Sequence, residues 1–453
     1  MSASAITDLA KLGARATAEA VRAGNISALE ACDAAIARIE ALDGPINAVV
    51  VRDFERARAT ARRIDQTKTA GDPRRLLGVP MTVKESNDVE GLPSTWGFEM
   101  FANVDAPRDA VVVKRLKAEG AVIVGKTNVP VALADWQSEN PVYGRTLNPH
   151  DPTRSPGGSS GGAAAALATG MVPLEIGSDI GGSIRKPSHM CGVFGHKPSY
   201  GIVPLRGHGF PGTDGLDVPL AVVGPMARNV GDLIEALDII AGPETPGYKL
   251  DLPPARHGRL TDFRVRVIRA MPGVPIDSDT SAALDGFLAG LDKAGVRVTD
   301  SAEGYPDLAR MNEAYVRMLM TVISRGTPQA APMNAHDWMA LQDDQLSTTR
   351  QWASVFDETD IIISPIFSTP AFTCMTDPDW SKRQLPIDNA LYPYGGQLAW
   401  ASIATYAGLP ATAVPVARTR AGLPVGFQLI GPPFGDRTTL RFAQLLEAAG
   451  LAA

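Results

Sequence analysis

The sequence has few cysteines, no excess of positive charge and no long apolar run. Its three cysteines, Cys32, Cys191 and Cys374, are too few and too far apart for a disulfide framework and fit a reducing compartment. Lysine and arginine number 43 against 49 acidic residues, a net charge of −6 that does not favour nucleic acid as a partner. No apolar run reaches membrane-spanning length, and the N-terminal residues lack the features of a secretory signal. These absences predict a cytoplasmic protein that binds neither nucleic acid nor membrane.

What is present is an ordinary globular composition with alternating strand and helix patterns. Hydrophobic residues make up 45% of the 453 residues and charged residues 20%, enough for a large core. The alternation predicts an α/β fold with one intact sheet. Helices are predicted over about 6–23, 27–41, 54–67, 110–120, 128–136, 229–241, 278–294, 305–354, 394–406 and 437–450. Strands are predicted over 46–51, 77–83, 121–124, 264–268, 296–298, 360–365, 408–415 and 422–431.

Two glycine-rich turns near the middle of the chain each present a serine. The first spans Ser155–Gly162 and carries Ser159 and Ser160, and the second spans Gly177–Arg185 and carries Ser183. Glycine allows close backbone approaches, so such a turn can direct several N–H groups at one point. That arrangement stabilises an oxyanion in acyl transfer. Glycine and serine also form ordinary loops, and one such turn alone would carry little weight.

A lysine follows a predicted buried strand upstream of these turns. Lys84 ends the apolar run from Leu77, and from its position alone it is a surface lysine leaving the strand. Its segment, Gly78-Val-Pro-Met-Thr-Val-Lys84 followed by Asp88-Val-Glu-Gly-Leu-Pro93, together with the two serine turns resembles the amidase signature family. This family comprises Ser–cis-Ser–Lys hydrolases, and the resemblance runs through nearly the whole chain. The family usually has Asp after the lysine, whereas this chain has Glu85, which keeps the charge.

The resemblance implies both a fold and a set of site residues. The fold would be a single amidase domain over 1–453, with a signature core at about 77–230 and a more variable substrate-cleft region at about 300–400. A large mixed twisted β-sheet would be covered by helices on both faces. Ser183 would be the nucleophile, Ser159 the bridging serine and Lys84 the general base and later acid. The N–H groups of the oxyanion hole would come from Ile180, Gly181, Gly182 and Ser183, with Ser160, Asp179 and Arg185 as supporting residues.

The same resemblance places Leu133 in the acyl pocket, although an ordinary core leucine is the simpler explanation of that residue. Lysine titrates near about 10.4 in water, so a lysine base requires burial to lower its pKa. With such a base the reaction needs no metal and no organic cofactor. His189, Cys191 and His196 are possible zinc ligands by type, but no second cluster completes a site, and the family uses these positions structurally.

Three alternatives remain open. Gly157-Gly-Ser-Ser-Gly161 matches a nucleophile elbow with Ser159 as nucleophile, which requires a preceding strand and a downstream histidine. Residues 120–127 and 207–212 match nucleotide-binding spacings, but the first has an apolar strand where a loop is needed and the second lacks a following helix. The third alternative is a glutamine-dependent amidotransferase subunit. The acidic residue that this branch uses to hold glutamine falls at Leu398 here.

The sequence indicates the substrate only by class. Met311, Met318, Met320, Met333 and Met339 lie in the predicted cleft region, where they either fill a core or form an adaptable apolar wall. Little charge accompanies the first four, which favours an apolar or aromatic group on the substrate. A small-molecule amide is therefore predicted, with esters and carbamates (urethanes) plausible because the nucleophile attacks any suitably placed acyl carbon. The expected assembly is a monomer or a homodimer.

Overall fold

A computed structural model describes residues 9, 11–213, 217–245, 247–325 and 330–452. The helices of this part are α1 (Ala14–Arg22), α2 (Ala28–Ile46), α3 (Phe54–Thr67), α4 (Val111–Ala118), α5 (Gly161–Ala168), α6 (Arg185–Cys191), α7 (Val230–Ile240), α8 (Ser278–Lys293), α9 (Leu308–Ile323), α10 (Ala335–Glu358), α11 (Leu398–Thr405) and α12 (Asp436–Ala448). None of these described helices is long and apolar enough to cross a membrane.

The strands are β1 (Val49–Arg52), β2 (Pro80–Lys84), β3 (Val122–Thr127), β4 (Glu139–Asn140), β5 (Gly144–Arg145), β6 (Leu174–Asp179), β7 (Phe194–Lys197), β8 (Val222–Ala227), β9 (Val265–Val267), β10 (Val298–Thr299), β11 (Ile361–Pro365), β12 (Gln384–Ile387), β13 (Ala390–Pro393), β14 (Ala411–Arg418) and β15 (Pro424–Ile430). Eight of them form one mixed sheet in the order β10-β9-β11-β15-β14-β7-β8-β6. Strands β9–β10 and β9–β11 pair parallel, and the other pairs of this sheet are antiparallel. The α/β class and the large mixed sheet are confirmed.

Helices cover both faces of the large sheet. Because side chains alternate along a strand, Ile361 and Ile363 of β11 pack into one apolar cluster and Ile362 packs into another. The first cluster includes residues of α7, α8 and α12, and the second includes residues of α9, α10 and α11. A third cluster joins α2, α3 and α5.

A smaller sheet beside the large one positions the candidate lysine. It has the order β1-β3-β2, with β2 parallel to β3, and Lys84 pairs with Thr127 at the ends of these strands. Strand β2 also contacts β6, the edge strand of the large sheet. The ends of β2 and β6 thereby bring Lys84 near the turn that follows Asp179.

The predicted helix over 128–136 is wrong. This segment contains only the short 3-10 turn Val131–Leu133, and Ala132 and Leu133 both have positive φ angles. The side chain of Asn128 accepts a hydrogen bond from the Val129 N–H at 3.0 Å, so it competes with helical pairing. Pro130 follows and supplies no N–H donor. The result is an irregular loop that carries Leu133.

For the other helices that the sequence predicted, the differences concern boundaries. The predicted helix over 6–23 begins outside the described residues, and its described part is α1, which starts after Gly13 where Asp232 accepts the N–H groups of Ala14 and Arg15. The region 305–354 is two helices, α9 and α10, and residues 326–329 between them lie outside the described part. The predicted helix over 394–406 begins as a 3-10 turn, Tyr394–Gln397, and continues as α11. Helix α3 has the predicted bounds.

Candidate active site

Lys84 is a buried residue that reaches the first serine turn. Its side chain is fully buried, and its Nζ donates hydrogen bonds to Ser159 Oγ at 2.6 Å and to Ser178 Oγ at 2.9 Å. Burial lowers the pKa of the Lys84 amine to about 7, and the carboxylates of Asp179 and Glu175 oppose this shift. An amine with this pKa is substantially neutral near pH 7 and can accept a proton. The expectation of a solvated surface lysine, drawn from position alone, is wrong.

The first serine turn is tightly enclosed. A Cβ at Gly158 would lie 2.5 Å from the Asp135 carbonyl oxygen, so only glycine fits there. The Gly158–Ser159 peptide bond is cis. Ser160 precedes α5 at its N-cap position and donates its N–H to the Ser183 carbonyl at 3.2 Å. This bond ties the two serine turns together.

The second serine turn is held by a buried ion pair. Asp179 accepts two hydrogen bonds from the Arg185 guanidinium, from Nη2 at 2.9 Å and from Nε at 3.0 Å. The same carboxylate accepts the N–H groups of Gly182 at 2.9 Å and Ile184 at 3.1 Å. Burial raises the pKa of Asp179, but Arg185 outweighs that effect and holds the pKa well below its usual range. Asp179 is therefore an ionised anchor for the backbone around Ser183.

Hydrogen bonds also hold three backbone carbonyls of this turn. Each of them thereby sets the direction of the N–H of the following residue, which belongs to the same peptide group. In a trans peptide the C=O of one residue and the N–H of the next point in opposite directions. The Tyr315 hydroxyl donates to the Ile180 carbonyl at 2.7 Å, and Trp136 Nε1 donates to the Gly181 carbonyl at 3.1 Å. The Gly182 carbonyl accepts the Lys186 N–H at 2.7 Å.

These bonds divide the four expected oxyanion donors into two groups. The N–H of Gly182 donates to Asp179. The N–H groups of Ile180, Gly181 and Ser183 make no hydrogen bond to another described residue. The Ser183 hydroxyl likewise makes none within the described part of the chain, and its side chain is 5% exposed. The geometry thus brings together a buried amine, two serines and free N–H donors, a set suited to acyl transfer.

Comparisons with known proteins identify the family of this chain. The Amidase family model matches residues 30–326 and 321–440. The chain belongs to the amidase signature family. It is 33% identical over 468 residues to the putative amidase AmiB2 of Mycobacterium tuberculosis, covering 98% of this chain and 97% of that protein.

Two further relatives of this chain differ in role from each other. A glutamyl-tRNA(Gln) amidotransferase subunit of Roseiflexus castenholzii is 32% identical, covering 96% of this chain and 95% of that protein. The solved structure of 6-aminohexanoate cyclic dimer hydrolase in complex with its substrate superposes with a TM-score of 0.81 at 27% identity. That match covers 98% of this chain and 97% of the other.

Glu85 fills the position after the lysine with well-defined contacts. Its carboxylate is fully buried and accepts the N–H groups of Thr95 at 2.5 Å and Trp96 at 3.1 Å. The Tyr143 hydroxyl donates to the same group at 3.3 Å. Glu85 therefore anchors the loop beside Lys84, and the longer side chain is accommodated.

Leu133 and Leu398 lie on different elements of the fold. Leu133 is half-buried on the irregular loop, where the Ala132 N–H donates to the Trp96 carbonyl at 2.8 Å. Leu398 begins α11 and is 7% exposed, and its Cδ2 lies 3.4 Å from the point where a Cβ on Gly181 would be. An apolar side chain therefore adjoins the turn that precedes Ser183. The role of Leu133 in the acyl pocket stays a prediction.

The methionines of the cleft region divide by burial. Met311 and Met318 are buried in the cluster that includes Tyr315 and Leu398, whereas Met320 is 43% and Met339 is 62% exposed. Met333 packs partly buried against the same cluster. Only part of the methionine set can therefore form an apolar wall.

Several residues near the site were not predicted from the sequence. They are Ser178, Glu175, Thr127, Trp136, Tyr315 and Lys186. Lys186 is fully buried, with its Nζ 3.2 Å from the centre of the Trp136 ring and 2.9 Å from the Gln397 carbonyl. Burial lowers its pKa well below the usual value. A charged residue between two apolar ones in a buried strand, as Glu175 is between Leu174 and Ile176 in β6, was the one sequence signal that could have been used.

The histidine side chains form their hydrogen bonds with residues other than Ser159 and Ser183. His189 contacts the backbone of Gly426 and Thr369, and His196 bonds Thr412 and Asp436. None of the described histidines forms a hydrogen bond with Ser159 or Ser183. The described residues also contain no group of three or more His, Cys, Asp or Glu side chains placed to hold a metal ion.

Proposed function

We propose that this chain hydrolyses the C–N bond of an amide through an acyl-enzyme on Ser183, with Ser159 and Lys84 moving the proton. The observation that carries the proposal is the 2.6 Å hydrogen bond from Lys84 Nζ to Ser159 Oγ inside a buried site. Burial makes the amine a competent base near neutral pH. A serine hydroxyl is a weak nucleophile until an adjacent base takes its proton, and the Lys84 amine is placed to do this through Ser159.

The proposed reaction has two halves with balanced proton transfers. Ser183 Oγ attacks the carbonyl carbon, and its proton passes through Ser159 to neutral Lys84. The N–H groups of Ile180, Gly181 and Ser183 stabilise the tetrahedral oxyanion. Protonated Lys84 then returns a proton through Ser159 to the leaving nitrogen, which breaks the C–N bond and leaves an ester on Ser183. In the second half, water attacks the ester carbonyl and gives its proton through Ser159 to Lys84. Lys84 then returns the proton through Ser159 to Ser183 Oγ, and the acid is released.

We infer that the acyl or amine part of the substrate is apolar. Leu398 lies against the turn that precedes Ser183, and the neighbouring cluster contains Met311, Met318 and Tyr315. The relative that is a 6-aminohexanoate cyclic dimer hydrolase supports an uncharged oligoamide as one candidate. Esters and carbamates are further candidates because both present an acyl carbon to the same nucleophile.

A second candidate function is glutamine hydrolysis within an amidotransferase. It is favoured by the relative that is a glutamyl-tRNA(Gln) amidotransferase subunit. It is opposed by Leu398, since a leucine offers no charge partner to the ammonium group of glutamine. Separate assays for a stand-alone amidase and for glutaminase distinguish the two.

The test is a panel of initial hydrolysis rates. The substrates are an aryl amide, a short aliphatic amide, an aryl carbamate and glutamine, and the proteins are the wild type, Ser183→Ala, Ser159→Ala and Lys84→Ala. We expect the three variants to lose about 10²–10⁴-fold or more in activity on whichever substrate the wild type hydrolyses. The best substrate then defines the class.

A matched control removes another buried lysine. Lys126 on β3 is fully buried and donates to Ser94 Oγ at 2.7 Å and to the Pro93 carbonyl. Lys126→Met should keep activity in proportion to its folded fraction, measured by circular dichroism. Retained activity in Ser183→Ala would contradict the nucleophile assignment and favour Ser159 in an elbow. Glutamine as the best substrate would instead favour the amidotransferase function.

A further inference from the structure

Strand β6 carries a glutamate where its neighbours are buried and mostly apolar or small. Glu175 is fully buried, and its Oε1 accepts a hydrogen bond from Thr127 Oγ1 at 2.7 Å. Its other oxygen, Oε2, has no hydrogen-bond partner among the described residues. The buried hydroxyl of Thr82 is also without a partner in that part of the chain. Burying an incompletely bonded carboxyl group costs stability, so its presence calls for a chemical reason.

The strand register places this carboxyl group beside the candidate base. Thr82 and Lys84 are two residues apart on β2 and therefore share one face of that strand. Lys84 pairs with Thr127, which donates to Glu175, and Ser178 of the same strand β6 accepts from Lys84 Nζ. Glu175 and Lys84 thus belong to one buried polar cluster between the two sheets.

The charges around this cluster single out Glu175. The carboxylates that act on Lys84 are Asp179 and Glu175, both from β6, and His208 is a nearby group whose own pKa is lowered by burial and by Lys84. Asp179 acts more strongly on Lys84, but Arg185 holds it ionised, so its charge does not change near pH 7. Burial raises the pKa of Glu175 to about 7, although the hydrogen bond from Thr127 and the charge of Lys84 oppose the shift. Glu175 and Lys84 therefore titrate in the same range and as a coupled pair.

We propose that Glu175 is a positioning residue that sets the protonation state of Lys84 and so the pH at which the base becomes available. This inference rests on the proposed function. Ionised Glu175 holds the proton on Lys84, whereas protonated Glu175 leaves the amine free to lose it. The carboxyl group acts through Lys84 and touches no substrate atom in this proposal.

The direction of the effect follows from the protonation states. Replacing Glu175 with glutamine puts a side chain beside Lys84 that is uncharged at every pH. It removes the competing state in which a lysine cation faces a carboxylate. The neutral amine of Lys84 is therefore more populated in the variant at every pH near its titration. The acid limb of the pH profile should lie at lower pH than in the wild type.

The test follows labelling of Ser183 by a fluorophosphonate at about pH 5 to 9. Labelling reports activation of Ser183 without needing the natural substrate. We expect the acid limb of Glu175→Gln to shift by about half a pH unit or more to lower pH, relative to the plateau of the same variant. Glu175→Asp, which keeps the charge, should restore part of the wild-type profile. A purely structural role would lower the plateau without moving the limb.

A carboxyl group that does not act on Lys84 provides the control for this test, and three outcomes would contradict the proposals. Glu447 on α12 accepts the Val230 N–H at 3.1 Å and is not among the groups that act on Lys84, so Glu447→Gln should leave the limb unchanged. A limb within about 0.2 pH units of wild type in Glu175→Gln would overturn the inference alone. A shift to higher pH would overturn it as well. A wild type that is not labelled at any pH would instead overturn the proposed function.

Discussion

At the scale of single residues, the lowered pKa of the Lys84 amine predicts how the proposed reaction depends on pH. Burial lowers the pKa of its amine to about 7, and the base is active only when neutral. Activity should therefore rise with pH through an acid limb near 7. Lys84→Arg, whose guanidinium stays protonated, should lose about 10²–10⁴-fold in kcat at every pH tested. The measurement is a profile of kcat/KM against pH.

Circular dichroism of Lys84→Arg is the control for that profile, because the larger side chain must still be housed in the buried site. A folded Lys84→Arg protein with wild-type activity would contradict the assignment of Lys84 as the base.

The same burial predicts a gain in stability when Lys84 is removed. The pKa of Lys84 is about 7 in the folded protein and 10.5 for an ordinary lysine, so the unfolded chain binds more protons between these values. The unfolding free energy of the wild type therefore gains a rising contribution as pH increases through this range. Lys84→Met should be more stable than the wild type at pH 7, by on the order of 1–3 kcal/mol after loss of its two hydrogen bonds.

Thermal unfolding at several pH values tests this prediction. The difference in Tm between Lys84→Met and wild type should shrink as pH rises toward about 10. A difference that is independent of pH would mean that packing around the side chain, and not its charge, determines the effect.

A third prediction at the scale of single residues concerns Tyr315, whose hydroxyl fixes the peptide that carries the Gly181 N–H. Tyr315→Phe removes this hydrogen bond and keeps the ring in the core. We expect kcat to fall about 3- to 10-fold with little change in KM, and the unfolding free energy to fall by about 1 kcal/mol. Tyr392 is a matched control, since its hydroxyl makes no hydrogen bond within the described part of the chain. An equal loss of kcat in Tyr392→Phe would contradict a specific role for Tyr315.

At the scale of elements, helix α5 shows that a glycine can be required where helix propensity disfavours it. A Cβ at Gly162 would lie 2.4 Å from the Asn128 nitrogen and 2.9 Å from the Ala48 oxygen, both of them backbone atoms. Gly162→Ala should therefore destabilise the protein by about 1–3 kcal/mol, although alanine is the better helix former. Gly286 in α8 has no atom within 4 Å of its Cβ position.

Gly286→Ala is accordingly the matched control and should stabilise the protein by about 0.5–1 kcal/mol. Urea unfolding of both variants gives the two free energies. A stabilised Gly162→Ala protein would show that the backbone around Asn128 yields easily, contrary to the close packing of this turn.

The elements also show where sequence patterns are informative. Helix α3 and the Gly-Leu-Pro strands β14 and β15 were predicted because their periodicity and turn residues agree with their environment. The segment 128–136 was predicted wrongly because its apolar residues resemble a helix, whereas Asn128 and Pro130 impose a loop. Local periodicity does not record a side chain that bonds its own backbone.

At the scale of the whole molecule, the residues of the site come from segments that only the fold brings together. Resemblance located Lys84, Ser159 and Ser183, and the hydrogen bond between the first two follows from the contact of β2 with α5, which begins just after Ser159. Tyr315 and Trp136 could not be predicted, because their link to the second serine turn depends on how α9 and the irregular loop pack. The roles of the three triad residues stay predictions until the variants are assayed, as do the single domain, the cytoplasmic location and the monomeric or dimeric state.

The last prediction concerns how well the core as a whole excludes solvent, and the three cysteines serve as probes of that exclusion. Cys32 and Cys191 are buried in one apolar cluster, and Cys374 is half-buried outside it. Burial raises the pKa of all three thiols, to about 12 for Cys32, so little thiolate is present at pH 8. A disulfide reagent should therefore modify at most Cys374 in the native protein, slowly, and all three thiols in guanidinium chloride.

Activity on the best substrate should survive modification of the native protein, because Ser183 and not a thiol is the proposed nucleophile. Cys374→Ser provides the control, since it should abolish native labelling and leave activity unchanged. Rapid labelling of two or more thiols in the native state would mean that the layer of α2, α3 and α5 opens. The site beside it would then be far less enclosed than a lysine base requires, because water entering around Lys84 would return its pKa toward that of an ordinary lysine.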